Sequence, residues 1–211
     1  MPIRRRRLLT SAAAGLGAAS VGPFVIRDLR AQDVLKIAGI HDTSGGLDIY
    51  GKQMVATMDL AVSEINAKGG LLGKQVKLIN YDPQSNIQFY TQYATEAATK
   101  EKVAVVHGGI TSASREAIRP LLKRFNTLYF YNTLYEGGVC DRNIFCTGST
   151  PAQTVEKLMS YVMKKWGKKV YTIAADYNYG QITAKWIKKY TQDNGGRVVA
   201  TDFFPPDVTD F

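Results

Sequence analysis

Short apolar runs alternate with segments of helical length along nearly all of the chain beyond residue 33, and this rhythm restricts the fold more than any other feature. Runs at 34–40, 76–81, 103–107 and 128–131 are short enough to be strands, and the segments 52–68, 87–100 and 114–125 between or after them are long enough to be helices. In the first of these helices Met54, Val55, Met58, Ala61, Val62 and Ile65 recur at helical spacing, and Gly69-Gly70 ends it. In the third, Ile118, Leu121, Leu122 and Phe125 share one face. Strands separated by helices imply parallel neighbours, because only a crossover brings the chain back to run in the same direction. The fold class expected is therefore doubly wound α/β.

The same rhythm resumes after residue 150, with a helix over 151–166, a strand over 169–174, a helix over 180–194 and a strand over 197–204. This predicts a first α/β lobe over 32–134 and a second over 135–211, with the boundary in 134–150. Two or three strands would leave the second sheet with an unpaired edge and an uncovered apolar face, so that lobe is expected to be incomplete in this sequence.

The first 31 residues follow a different logic. Arg4 to Arg7 precede an Ala/Gly-rich apolar run, the layout of an export signal. Arg5-Arg6-Arg7-Leu8-Leu9 fits the twin-arginine pattern. Gly15, Gly17, Gly22 and Pro23 interrupt the run well short of the roughly 20 apolar residues of a membrane span. Cleavage after Ala31 is expected, giving a soluble periplasmic protein. It would remove six arginines and one aspartate from 27 basic and 18 acidic residues, lowering the net charge from +9 to +4. Most of the basicity is then targeting signal, and a nucleic-acid partner is not expected. Lys164, Lys165, Lys168 and Lys169 suit a solvated helix end. Cys140 and Cys146, the two cysteines, are expected to pair in an oxidising compartment. A zinc site would need two further ligands, and the only histidines are His41 and His107.

In open α/β sheets the chemistry sits beyond the carboxyl ends of the strands. Gly108-Gly109-Ile110-Thr111-Ser112-Ala113-Ser114 is the most informative of these loops, because it combines close backbone approach with three hydroxyls where a helix begins. Free N–H groups there can donate to a carbonyl or carboxylate oxygen, although Ser112 or Ser114 can equally serve only as a cap. Tyr50, Tyr129, Tyr131, Tyr135, Tyr177 and Tyr179 crowd the other loops, and such rings suit a small planar solute. Tyr129 and Tyr131 share a strand face, and Tyr131 is nearer the strand end. Enzyme signatures are absent: the chain holds no Gly-x-Ser-x-Gly, P-loop or His-Glu-x-x-His, and His107, at the end of an apolar strand, suits a buried hydrogen-bonding role.

Four segments carry a family resemblance: 66–74 (Asn-Ala-Lys-Gly-Gly-Leu-Leu-Gly-Lys), 111–120 (Thr-Ser-Ala-Ser-Arg-Glu-Ala-Ile-Arg-Pro), 130–137 (Phe-Tyr-Asn-Thr-Leu-Tyr-Glu-Gly) and 176–180 (Asp-Tyr-Asn-Tyr-Gly). With them the chain resembles the type I periplasmic binding proteins, and within these the urea and short-chain-amide branch of the branched-chain amino acid binding family. The resemblance implies two Rossmann-like lobes with parallel sheets closing on a small polar solute, no cofactor, and the permease and ATPase subunits of an ABC importer as partners. It implies ligand contacts at Ser44, Thr111, Ser112, Ala113, Tyr131, Thr133, Tyr177 and Tyr179, with Ser112 meeting the ligand oxygen. The solute expected is urea or a short amide. A branched-chain or other small amino acid, and an amide-sensing regulator of the same fold, are the alternatives.

Overall fold

The computed structural model describes residues 34–206; the expected export signal at 1–31 lies outside them. The first sheet is built from β1 (Leu35–Ile40), β2 (Val76–Tyr81), β3 (Val105–Gly108), β4 (Leu128–Tyr131) and β5 (Ile144–Cys146). These strands are all parallel in the order β2-β1-β3-β4-β5. The helices α1 (Asp48–Ala67), α2 (Ile87–Thr99) and α3 (Ser112–Arg124) make the crossovers between β1 and β4. In the second unit α4 (Val155–Trp166) and α5 (Asn178–Asp193) accompany the parallel pair β6 (Lys169–Ala175) and β7 (Arg197–Phe204). The α/β architecture expected from the alternation is thus the one observed.

The first core forms where α2 and α3 cover one face of the sheet. Tyr90, Ala94 and Ala97 of α2 and Ile118 and Leu122 of α3 pack on Ala38, Ile40, Val106, Tyr129 and Ile144. Small side chains at Ala94 and Ala97 let α2 approach closely, and Tyr90 spends its hydroxyl on Asp42 at 2.6 Å. Helix α1 behaves differently. Its apolar stripe faces the sheet as the spacing predicts, yet only Gly51 is buried. Met54, Met58, Val62 and Ile65 instead border a cavity of about 570 Å³ with Ile37 and His107. A smaller second core joins Val155, Met159 and Met163 of α4 to Tyr190 of α5.

The segment 134–150 departs from expectation. It supplies β5, which pairs with β4 from Tyr129↔Ile144 to Tyr131↔Cys146, so the first sheet runs past the boundary drawn at 134. Three residues are too few to show an alternation, which is why the strand escaped a periodicity reading. Helix α4 begins at Val155 rather than 151, because Thr150 closes a turn through its N–H and hydroxyl on Gln153.

The expected disulfide is also corrected: Cys140 and Cys146 are both free thiols. Cys146 ends β5 and packs against the core, whereas Cys140 is exposed. Between them Asp141 is pinned to Arg119 at 3.2 Å and accepts the Asn143 N–H at 3.1 Å, so the connecting loop holds the two thiols in different environments.

Candidate functional site

The strand order reverses between β1 and β3, and the loops leaving their carboxyl ends part to form a crevice, the usual ligand position in such sheets. The loop after β3 turns at Gly109, whose φ of +78° suits glycine and whose missing Cβ leaves room for the Tyr129 hydroxyl. Thr111 then caps α3. Its hydroxyl accepts the Ser114 N–H at 3.1 Å, and the Ser114 hydroxyl accepts the Thr111 N–H at 3.2 Å. Capping is therefore the work of Thr111 and Ser114, and Ser112 is left for another use. The Ser112 and Ala113 N–H groups stand at the first two helical positions, where no preceding turn offers a carbonyl.

Ser112 is 1% exposed and donates its hydroxyl proton to the Glu136 carboxylate at 2.9 Å. Thr133 and Tyr131 both donate to the Ile110 carbonyl, at 2.9 Å and 3.1 Å. Carboxylate and carbonyl oxygens can only accept, so the direction of all three bonds is fixed. With their single protons committed inward, these hydroxyls have only lone pairs left to offer a ligand.

Six of the eight residues expected at the site border one cleft of about 530 Å³: Thr111, Ser112, Tyr131 and Thr133 from the first lobe, Tyr177 and Tyr179 from the start of α5. The other two are not among its lining residues. Ser44 donates its hydroxyl to Asp82 at 2.7 Å and serves the turn after β1. Ala113 lies half-buried in the first turn of α3. Tyr131 is only 1% exposed, and Arg115 lies 4.9 Å from its ring centroid, so it is a wall of the cleft rather than a stacking platform. The open rings are Tyr50 and the stacked pair Tyr177 and Tyr179, whose centroids are 6.3 Å apart.

Some lining residues were not anticipated: Met54 of α1, and Thr147, Gly148 and Ser149, which follow β5. A Cβ at Gly148 would overlap the Thr133 carbonyl, so glycine lets this loop lie against the one after β4. The signal was present as Thr-Gly-Ser between an apolar triplet and a proline, but its use required seeing β5. None of the side chains lining the cleft is charged. The charge lies one layer back, where Arg115 makes a two-pronged bond to Glu136 at 2.5 Å and 3.1 Å. Burial opposes the Arg115 charge, but its bonds to Glu136 and Glu116 outweigh this and hold its pKa above the ordinary value.

The cavity beneath α1 is slightly larger than the cleft, but its lining is mostly apolar. Beside it the His107 Nδ1 lies 3.2 Å from the His41 Nε2. Burial first, and then the neighbouring His107, lower the His41 pKa to about 3, and burial lowers that of His107. Both rings are neutral at pH 7. Among the described residues no group of three or more His, Cys, Asp or Glu is placed to hold a metal ion. Nor is any described helix long and apolar enough to cross a membrane.

Comparison with known proteins agrees with this geometry. A family model described as a periplasmic binding protein domain matches residues 35–211. Leu/Ile/Val-binding protein homolog 7 of Brucella suis biovar 1 is 26% identical over 188 residues, covering 83% of this chain and 47% of the relative. Among solved structures, the branched-chain amino acid transporter substrate binding protein LivJ from Streptococcus pneumoniae, in complex with isoleucine, aligns with a TM-score of 0.69 and 26% identity. That alignment covers 84% of this chain and 51% of LivJ. A type 1 periplasmic binding protein from Bordetella pertussis shares the fold with a TM-score of 0.75 at 23% identity, over 85% of this chain and 51% of its own. The chain spans about half the length of the relatives it matches. None of these comparisons singles out the urea and amide branch; the Brucella relative and LivJ are named for branched-chain amino acids. The chain belongs to the periplasmic binding protein family, in its type I, Leu/Ile/Val-binding-like form.

Proposed function

We propose that this chain is the solute-capturing component of an ABC importer and that its solute is an amino acid with an apolar side chain. The observation that carries this reading is the direction of the hydroxyl protons. Ser112, Thr133 and Tyr131 donate into the protein, and so they face the cleft as acceptors. An ammonium group supplies the N–H donors they require. The start of α3 offers the complementary half, N–H groups and the positive end of the helix dipole, which favour a carboxylate. Tyr50, Met54, Tyr177 and Tyr179 supply apolar surface for a side chain. A cleft of about 530 Å³ also suits a solute larger than urea, which would leave most of it to water.

This reading replaces urea or a short amide with the amino acid alternative. A small amide presents N–H donors too, but no charge for the helix start and little to set against the tyrosines. Isoleucine in the LivJ structure and the naming of the Brucella relative support the same choice. The reading includes export to the periplasm by the twin-arginine route, with a mature N-terminus near Gln32 that mass spectrometry of the exported protein would reveal.

Titration calorimetry of the exported protein with L-isoleucine, L-leucine, L-valine, urea and acetamide tests the assignment. Binding of one or more of the amino acids, and of neither amide, is expected. Binding of urea or acetamide without any of the amino acids would return the solute to the amide class.

A further inference from the structure

Glu136 sits between β4 and β5 and is 1% exposed. Its carboxylate takes Arg115 Nη2 on Oε1 at 2.5 Å, and Arg115 Nη1 and the Ser112 hydroxyl on Oε2 at 3.1 Å and 2.9 Å. Arg115 is held in turn: its guanidinium carbon lies 4.9 Å from the Tyr131 centroid and 5.2 Å from that of Tyr135, and its Nε donates to Glu116 at 3.0 Å. The backbone carbonyl of Glu136 accepts the Trp186 indole N–H of α5 at 2.8 Å. A buried ion pair adds little stability over apolar residues of the same volume, so stability alone is a poor reason for placing two charges here. Their position supplies a better one, because among the described residues the only other donor on the carboxylate is the hydroxyl that faces the cleft.

We propose that Glu136, clamped by Arg115, is a positioning residue that sets the polarity of Ser112 and thereby selects solutes presenting N–H groups to it. The proposal rests on the amino acid reading and deepens it. An ionised carboxylate has no proton to give, so Ser112 must donate to it and remains an acceptor towards the cleft. Arg115 also determines what an amide would do in the same place. In Glu136→Gln the two guanidinium donors claim the amide oxygen, which turns the NH2 group towards Ser112. The Ser112 hydroxyl then accepts from the protein, and its proton is free to point into the cleft.

The test is a double-mutant cycle on the exported protein, read by calorimetry with L-isoleucine and with its 2-oxo acid analogue, which has no N–H donor. The parent is expected to prefer isoleucine, and Ser112→Ala and Glu136→Gln each to lose about 10- to 100-fold in isoleucine affinity, the range for a hydrogen bond to a charged group. Binding of the 2-oxo acid should hold or improve in Glu136→Gln. The double variant should lose no more than either single one, because both substitutions remove the same interaction. If Glu136→Gln does not fold, the paired Arg115→Met/Glu136→Leu variant removes both charges together, and the same loss of discrimination is expected. Additive losses, or discrimination unchanged when Glu136 is replaced, would overturn the positioning role while leaving the solute assignment standing. A parent that binds no amino acid overturns the assignment and this inference with it.

Discussion

At the scale of single residues, the two thiols show how environment divides chemically identical groups. Cys140 is exposed, whereas Cys146 is half-buried against the core and its pKa is raised, chiefly by burial. The thiolate is the reactive form, so iodoacetamide at neutral pH should label Cys140 quickly and Cys146 slowly, with mass spectrometry following each peptide. Recovery of a linked pair from protein purified without reductant would contradict the free thiols. Several residue assignments were legible in the sequence because they follow from position alone. Ser112 starts a helix, Tyr177 stands at the N-terminal end of another with Tyr179 in its first turn, and Thr133 follows a strand. Ser44 was less so, because nothing in Thr-Ser-Gly reveals that Asp82, on another loop, will claim its hydroxyl. The roles of Arg115 and Glu136 were hidden for the same reason, since a pair brought together across 21 positions has no spacing to read.

Elements are held at their ends, and the junction of α1 with β2 illustrates it. The Asn66 amide donates to the Val76 carbonyl and accepts the Val76 N–H, both at 2.8 Å, imitating a strand partner beside the turn at 69–74. Asn66→Ala leaves both backbone groups without this partner and should cost about 1–3 kcal/mol, measured by urea denaturation. A cost below about 0.5 kcal/mol, the range of an ordinary surface substitution, would show that water replaces the amide fully. The start of α3 was legible only in part, since Thr111 rather than Ser112 or Ser114 is the cap and the helix begins at Ser112 rather than 114, whereas that of α2, capped by Asn86 ahead of Ile87, was legible. Strand β5 was not. Its three residues owe their conformation to pairing with β4, a tertiary cause that leaves no local periodicity.

For the whole molecule, pH is the clearest handle, because below about pH 6.5 His41 and His107 resist in the folded chain a proton that the unfolded one takes up. Their folded pKa values are lowered, that of His41 to about 3, against an ordinary 6.5. Above 6.5 neither state binds the proton and the full stability is present. Below it the unfolded chain takes up protons that the folded one refuses, so stability falls as pH drops from 6.5 towards 3. The slope should approach about 1.4 kcal/mol per pH unit for His41, with His107 adding in the same direction. Asp42, raised by burial, works in the opposite direction, regaining stability as it protonates at the acid end. Urea melts at pH 7, 6 and 5 measure this before most carboxylates titrate; a flat profile would mean that the histidines charge freely in place.

The indole of Trp186 has a consequence of another kind. It is half-buried at the start of the path from α5 to Glu136, with its N–H fixed on the Glu136 carbonyl, while the only other tryptophan, Trp166, is 67% exposed at the far end of α4. The chain thus carries its own optical probe, a fluorophore whose emission colour depends on whether that bond to the Glu136 segment is kept. Replacing Trp166 by phenylalanine would leave a single emitter, and any rearrangement between α5 and the Glu136 segment could be followed in real time without attaching a dye.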